Sequence, residues 1–445
     1  MLQMRIFSAY DVRIADRELN HVFSETTRIY RSAVDFFIHV RLEESGAFSG
    51  LRGQLQMVNK MEHLTNRTKK NPSPKYDFGK EFYKFPCYYR RAAIAEAIGK
   101  VASYENNLKN WEQNRNGKKP GLPKAGYTYP SLYKGNAFKR TEPYYAEIKV
   151  WIRNTWDWVR VPLRKTDADY INRYCSNREE CVPTLVKDHK IWGLRFSFKE
   201  DVSLVDIPVM EQSILAVDLG INSACACTAM KADGTVVGRK FLKLPTEEDS
   251  LRHALNKIRK AHQNGNRKTP RLWAKAKGIN ERISALTAQF IIDTAVLFGA
   301  FTIVFEHLDT QGKKKGKTMR QRLHHWRAND VQNIVAGKAH RLHMHISRIN
   351  AWGTSRYAFD GSGKVLRGSE AELETWSLCK FQNGKIYNCD LNASYNIGAR
   401  YYIREILKSL PARERLRIEA KVPQCSKRST CTLSTLISLN AEFSA

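Results

Sequence analysis

The chain of 445 residues has no run of about 18 apolar residues, so no membrane-spanning helix is expected. Its first residues, MLQMRIFSAYDVRIAD, lack the basic and then apolar order of a secretory signal, and we expect a cytoplasmic protein. Acidic residues are few: 44 Asp and Glu stand against 74 Lys and Arg, which leaves a net charge of +30. Because no long basic amphipathic helix with an aromatic face stands out, this charge favours a nucleic acid over a membrane surface as the partner.

Paired cysteines are also missing. Nine cysteines are scattered through the sequence without a single Cys-x-x-Cys spacing. In a cytosolic chain this irregular spacing is typical of reduced, buried thiols. An apolar content of 42% and a charged content of 27% fit a folded protein, and the length suits two or three domains.

The first 210 residues contain two kinds of pattern. Up to about residue 130, apolar residues recur at helical spacing, most clearly from residue 20 to 45 and after Pro86. From about residue 136 to 205, apolar and polar residues alternate as they do in strands. We therefore predict a helical region followed by a β-rich region.

The pattern after about residue 210 is mixed. Three strands joined by the hairpin turn KADG are predicted first, then helices at 247–263 and 271–298, a fourth strand, and a closing helix. This order is typical of a ribonuclease-H-type α/β fold. The last 30 residues have only a weak pattern, and we expect them to be peripheral or disordered.

Three acids follow apolar segments in this second half. Asp218 ends the strand ILAVD, Glu306 ends the strand FTIVFE, and Asp390 precedes the closing helix in NCDLNASYNIG. In the predicted fold the first and fourth strands are neighbours, so their carboxylates converge at one edge of the sheet. Crowded carboxylates repel one another, and Mg²⁺ or Mn²⁺ relieves that repulsion. We predict a site where two such ions hydrolyse a phosphodiester.

Each acid has a structural alternative that the sequence leaves open. Asp218 is equally suited to forming a turn after its strand. Asp390 is a good helix N-cap. Glu306 is compatible with a buried ion pair, since the chain is rich in Lys and Arg.

The segments AVDLGINS, IVFEHL and CDLNASYNIGARYYI resemble the three RuvC motifs of the TnpB family, the transposon-encoded relatives of compact type V CRISPR effectors. FPCYYRRAAIAEAIGKVASYENN and VPTLVKDHKIWGLRFSF are similar to N-terminal sequence of that family. The resemblance implies an RNA-guided DNA endonuclease in a prokaryotic cell, with guide RNA and target DNA as partners. It also implies that Asp218, Glu306 and Asp390 are the catalytic, metal-binding acids.

The resemblance further implies a multidomain α+β protein with a helical recognition domain, a β-barrel wedge domain and a RuvC-like nuclease domain that carries a small inserted lobe. The expected segments are wedge strands at 1–20, the recognition domain at 21–135, the wedge domain at 136–208, the RuvC-like domain at 209–352 and 387–410, the insertion at 353–386 and a C-terminal tail at 411–445.

One departure from the family concerns zinc. TnpB-like proteins usually carry two Cys-x-x-Cys pairs in the insertion, but Ala358, Gly361 and Asn383 stand near the expected ligand positions here. The remaining Cys379 and Cys389 cannot complete a tetrahedral site, so we predict no bound zinc. We expect packing to hold the insertion together instead, through Tyr357, Phe359, Trp376 and Phe381.

Candidate nucleic-acid contacts lie in three places. The segment 312–327 contains seven Lys and Arg residues, Arg90 and Arg91 begin a helix, and Arg356 lies in the insertion. Each place is also compatible with a purely structural or solvated role. The candidates are Arg90, Arg91, Lys313, Lys314, Lys315, Arg320, Arg322 and Arg356.

Two other functions remain open from the sequence. The first is RNA-guided DNA binding without cleavage, which the presence of all three acids disfavours. The second is a metal-dependent transposase that acts without a guide, and bound RNA would distinguish it from the nuclease.

Overall fold

The computed structural model describes residues 2–69, 71–115, 118–220, 224–308, 327–427 and 429–444. They form two compact units, an N-terminal unit of residues 7–200 and a C-terminal unit of residues 1–6 with 201–445. Among the described residues, no helix has both the length and the apolar character needed to cross a membrane.

The helices of the N-terminal unit confirm the predicted helical patterns. The first, α1, packs against the fourth, α4, through buried apolar residues at helical spacing, such as Tyr30, Val34 and Phe37. The fourth helix begins directly after Pro86, whose extended backbone makes it the N-cap residue. The α-helices of this unit, among the described residues, are α1 (Asn20–Glu43), α2 (Gln54–Thr65), α3 (Phe78–Glu81), α4 (Cys87–Asn114) and α5 (Lys165–Tyr174).

The described strands of this part of the chain complete the unit. They are β1 (Leu2–Arg13), β2 (Phe138–Glu142), β3 (Tyr145–Ile152), β4 (Thr155–Pro162), β5 (Glu179–Glu180), β6 (Thr184–Asp188) and β7 (Ile191–Leu204). Of these, β1 begins and β7 ends in residues of the C-terminal unit. One sheet has the order β1-β7-β5 with β6 paired to β7, and the other has the order β2-β3-β4. Helices and strands contribute to one hydrophobic core, for example Phe37, Ile94, Ile148 and Leu194. The sequence predicts a recognition domain and a separate wedge domain for this part of the chain. In the structure, the residues of both share one hydrophobic core and lie in one compact unit.

The C-terminal unit is built on a five-stranded sheet. Its strands are β8 (Ser213–Asp218), β9 (Cys225–Lys231), β10 (Val236–Leu242), β11 (Thr302–His307) and β12 (His345–Asn350). The order is β10-β9-β8-β11-β12, with β8, β11 and β12 parallel and β9 antiparallel to both of its neighbours. The predicted pairing of the first and fourth strands is confirmed, because Val217 is the register partner of Phe305.

Helices cover both faces of this sheet. The described helices of this unit are α6 (Pro245–Gln263), α7 (Pro270–Leu297), α8 (Ala328–Arg341), α9 (Cys389–Ser409), α10 (Ala412–Lys421) and α11 (Leu433–Ser444), of which α6 packs on α7 in a cluster of its own. Residues Leu215 and Val217 share a core with α7 and α8, whereas Ile214, Ala216 and Val304 share a core with α9. Each strand thus alternates between the two faces, as a sheet buried on both sides requires.

The expectation for the C-terminal tail was wrong. The tail forms α10 and α11, and Leu433, Leu436 and Leu439 are buried in the same core as α9. The segment LSTLISLNAEFS has polar residues among its apolar ones, so its helical period is weak in the sequence. The tail therefore completes the hydrophobic cover of the sheet.

The insertion is a small sheet with its own core. Its strands are β13 (Leu366–Arg367), β14 (Leu378–Lys380) and β15 (Ile386–Asn388). The rings of Phe359 and Phe381 lie 5.5 Å apart within this core, as predicted. The prediction for Trp376 was wrong, since 70% of this residue is exposed. Asn383, near an expected zinc-ligand position, instead donates a hydrogen bond to Asp360 Oδ2 over 2.9 Å.

Candidate active site

The register of β8 and β11 places Asp218 and Glu306 side by side. Each carboxylate follows the last register pair, Val217 and Phe305, by one residue. Side chains alternate along a strand, so Asp218 lies on the same face as Ala216, and Glu306 on the same face as Val304. That face is the one α9 covers.

The third acid approaches from the helix itself. Asp390 is in the first turn of α9, and the N-cap is Asn388, whose side chain accepts hydrogen bonds from the backbone N–H groups of Asp390 and Leu391, each over 3.0 Å. The alternative role of Asp390 as the N-cap is therefore wrong. We call Asp218, Glu306 and Asp390 the acid edge.

The electrostatics of the acid edge put Asp218 at its centre. Burial, and then the negative charges of Glu306 and Asp390, hold the pKa of the Asp218 carboxyl well above its usual value. Burial also raises the pKa of Glu306, while the Thr354 hydroxyl and the positive charge of Arg400 oppose that rise. The charges of both Glu306 and Asp390 act on the pKa of Asp218, so Asp218 interacts electrostatically with both other acids.

No described residue neutralises the acid edge by direct pairing. In the described parts of the chain, Asp218 and Asp390 accept no side-chain hydrogen bond, and none of the three acids forms an ion pair. The Arg400 guanidinium is instead bonded to backbone carbonyls, including that of Trp352 over 2.8 Å and that of Ser429 over 2.6 Å. Among the described residues, Glu306 thus does not form the buried ion pair of its alternative role. Residues 221–223, which follow the strand that Asp218 ends, lie outside the described residues, and the turn-forming alternative for Asp218 stays open.

Two buried asparagines of α9 fix the loop that supports Glu306. Asn396 Nδ2 donates to the carbonyl oxygens of Thr354 and Tyr357 over 2.9 and 2.8 Å, and Asn392 Nδ2 donates to the same Tyr357 oxygen over 2.9 Å. The Thr354 hydroxyl, held in this way, donates to Glu306 Oε1. The motif NASYN therefore does more than form a helix, because it ties the start of the insertion to the acid edge.

The donors suit a hard divalent cation in chemistry, although they do not form a complete cage. Carboxylate oxygens are the ligands that Mg²⁺ prefers, and their mutual repulsion favours a bound cation. Among the described residues, however, no group of three or more His, Cys, Asp or Glu side chains is arranged to hold a metal ion. Mg²⁺ is commonly held by one or two carboxylates together with substrate phosphates, so an incomplete set is compatible with a site that the substrate completes.

Arg367 is a residue of this site that the sequence analysis missed. Its positive charge acts on the Asp218 carboxyl and opposes the rise of its pKa, and its guanidinium donates to the Ser355 carbonyl over 2.6 Å. Arg356, the insertion residue predicted to contact nucleic acid, is exposed and makes no ion pair with any described residue, and its role stays a prediction. No signal in the sequence distinguishes the two arginines, since the fold of the insertion decides which one approaches the acids.

The other predicted nucleic-acid contacts fall into two groups, one that forms ion pairs within the protein and one that lies outside the described residues. Arg90 and Arg91 both form ion pairs with Glu62, over 3.3 and 2.6 Å, which gives them a structural role in joining α4 to α2. Lys313, Lys314, Lys315, Arg320 and Arg322 lie outside the described residues, and their role stays a prediction.

Comparison with known families finds a match in the N-terminal part of the chain. The Aq_aa04 family model matches residues 8–152, about a third of the chain. The uncharacterized protein aq_aa04 of Aquifex aeolicus (strain VF5) is 31% identical over 118 residues, which cover 24% of this chain and 64% of that protein. The chain therefore spans less than two thirds of the length of this relative.

Several solved structures of type V CRISPR effectors are similar in fold at low scores. A Cas12f1–sgRNA–target DNA complex has a TM-score of 0.34 and 15% identity, and covers 88% of this chain and 98% of that one. A Cas12i–crRNA–dsDNA complex has a TM-score of 0.38 and 11% identity, with 96% and 67% covered. C2c1 of Alicyclobacillus acidoterrestris with single-guide RNA has a TM-score of 0.36 and 10% identity, with 86% and 69% covered.

Proposed function

We propose that this chain is an RNA-guided DNA endonuclease that hydrolyses phosphodiester bonds at the acid edge. The observation that carries the proposal is the convergence of Asp218, Glu306 and Asp390 from two parallel strands and one helix. Burying like charges together costs folding free energy unless a cation offsets it. A hydrophobic core has no structural need for this arrangement, whereas a metal-dependent nuclease does.

The residues of the edge have distinct roles in this proposal. A divalent cation such as Mg²⁺ or Mn²⁺, when bound, supplies a Lewis acid and makes water a better nucleophile at neutral pH. Asp218 would hold it together with Glu306 or Asp390. Thr354 orients the Glu306 carboxylate, and the positive charge of Arg367 attracts the phosphate that is cut.

The partners are proposed to be a guide RNA and a target DNA. The net charge of +30 supports a polyanionic partner, and the RuvC-like motifs in their order support the RNA-guided class. In this mode base pairing with the guide reads the target, while protein side chains contact the backbone and a short flanking motif. A TnpB-like protein of this kind would act in the cytoplasm of a prokaryotic cell.

The test begins with the RNA that co-purifies with the protein. We expect sequencing to identify a defined RNA, and DNA complementary to its guide segment to be cut in Mg²⁺ but not after chelation. Cleavage that is independent of any RNA would contradict the guided model and favour the transposase alternative.

A second candidate function is RNA-guided binding without cleavage. It is favoured by the lack, among the described residues, of a ready-made group of three metal ligands. Guided binding that leaves the DNA intact in both Mg²⁺ and Mn²⁺ would establish it and overturn the nuclease proposal.

A further inference from the structure

The helical hairpin formed by α6 and α7 has an unusual charge distribution. Between Asp249 and Glu281 the chain contains nine Lys and Arg residues and no acid. Every one of these cations is exposed. This stretch lies outside the RuvC-like motifs and contains none of the three acids of the acid edge.

The hairpin carries its cations on a packed frame. Ala254 and Ile258 of α6 and Ala276 of α7 are buried against one another in a cluster separate from the two sheet cores. Partly buried side chains of both helices surround that cluster, namely Leu251, Leu255, Leu272 and Ile279. Packing of this kind fixes the two helices side by side, about 8–10 Å apart, so the cations occupy defined positions.

The cations at the base of the hairpin are paired with acids. Arg252 pairs with Asp249 over 2.7 Å, Lys277 with Glu281 over 3.7 Å, and Arg282 with Glu247 over 3.6 Å. The remaining seven cations lie between residues 257 and 275, a segment that we call the hairpin tip. Among the described residues, none of these seven forms an ion pair. Within the described parts of the chain, acids thus neutralise one end of the hairpin and leave the other charged.

The dimensions of the tip identify the kind of anion that fits it. The helical parts of the tip are about 10 Å long, a length that spans about three phosphates on one strand of a duplex. Two helices side by side are about 20 Å wide, too wide to enter a major groove of about 12 Å, so base edges are out of reach. The exposed cations of the two adjacent helices can instead contact phosphates on either side of a groove.

We propose that the hairpin tip binds the sugar–phosphate backbone of a nucleic-acid duplex without reading its sequence. The inference rests on the proposed function for the identity of the partner, since an RNA-guided nuclease handles duplexes. The hairpin tip is a binding surface distinct in sequence from the three residues of the acid edge.

The test neutralises four tip cations with Lys257→Gln, Lys260→Gln, Arg271→Gln and Lys275→Gln. Glutamine keeps a high helix propensity, so the hairpin should remain folded. The matched control is Arg252→Gln with Lys277→Gln, which removes cations already paired with acids. Binding of the purified protein to a short DNA duplex of arbitrary sequence is measured between about 50 and 200 mM salt. Log K decreases as log salt increases, and each phosphate contact contributes about −0.9 to this negative slope. We expect the slope of the tip variant to be shallower than that of the wild type by about 2–4. The control should keep its slope.

The outcomes separate this inference from the proposed function. If the tip variant binds the duplex with an unchanged slope while the wild type still cuts guided DNA, the inference fails and the proposed function stands. If the slope of the tip variant becomes shallower only when the probe is a single strand, the assignment to a duplex is overturned. If the wild type binds no nucleic acid and cuts none, the proposed function fails together with the inference.

Discussion

The acid edge and the hairpin tip gather like charges in opposite ways. The carboxylates of the edge are partly buried, and burial, followed by the charges of Glu306 and Asp390, raises the pKa of Asp218. The cations of the tip are exposed, where water and salt screen them. Burial makes each charge at the edge sensitive to its neighbours, which suits chemistry, whereas exposure lets the tip cations act as a group, which suits binding.

The largest expected effect is on the edge. Asp218→Asn should reduce guided cleavage by about 1,000-fold or more, since a metal ligand contributes several kcal/mol at about 1.36 kcal/mol per factor of ten. RNA binding should be nearly unchanged, because the substitution leaves the exposed cations in place. Single-turnover cleavage and RNA affinity are the two measurements, and an equal loss in both would mean that Asp218 has a structural role.

The same variant should be more stable than the wild type in chelator at neutral pH. A raised folded-state pKa means that the folded protein binds more protons than the unfolded chain, so stability decreases as the pH rises above about 3.9 through the raised pKa. The Asp218→Asn substitution would avoid that loss, and each kcal/mol regained adds about 2–4 °C to Tm. The difference in Tm between variant and wild type should shrink as the pH falls below about 4, where the carboxyl is protonated in the folded and the unfolded state alike.

A smaller effect is expected at Arg367, whose positive charge acts on the Asp218 carboxyl. Arg367→Gln should lower cleavage by about 10- to 100-fold, as loss of a supporting contact at a metal site does. Arg356→Gln is the matched control and should retain full activity, because Arg356 makes no ion pair with any described residue. Arg367→Lys should recover most of the activity if charge is what matters. A rate unchanged in Arg367→Gln would remove this residue from the site.

The residues changed in these variants include some that could be predicted from the sequence and some that could not. The strands and acids were predictable because each depends on local alternation and on a carboxylate at the strand end. Arg367 was not, since its position relative to Asp218 depends on how the insertion folds. The packing of Leu436 and Leu439 was missed because α11 mixes polar and apolar residues, so its buried face is evident only once α9 is in place. The tip cations were visible in the sequence, but it did not show that none of them pairs with an acid among the described residues.

The smallest effect concerns how closely α9 approaches the sheet. A Cβ at Gly398 would lie 3.0 Å from Met230 Sδ and 3.3 Å from Ala216 Cβ, whereas a Cβ at Gly278 in α7 would meet nothing within 4 Å. Gly398→Ala gains about 0.5–1 kcal/mol of helix propensity but incurs an overpacking cost of about 1–3 kcal/mol. We expect a net loss of about 1 kcal/mol, while Gly278→Ala should stabilise the hairpin by up to about 1 kcal/mol. Urea unfolding measures both, and stabilisation by both substitutions would mean that close contact with β8 and β9 is not what requires glycine in α9.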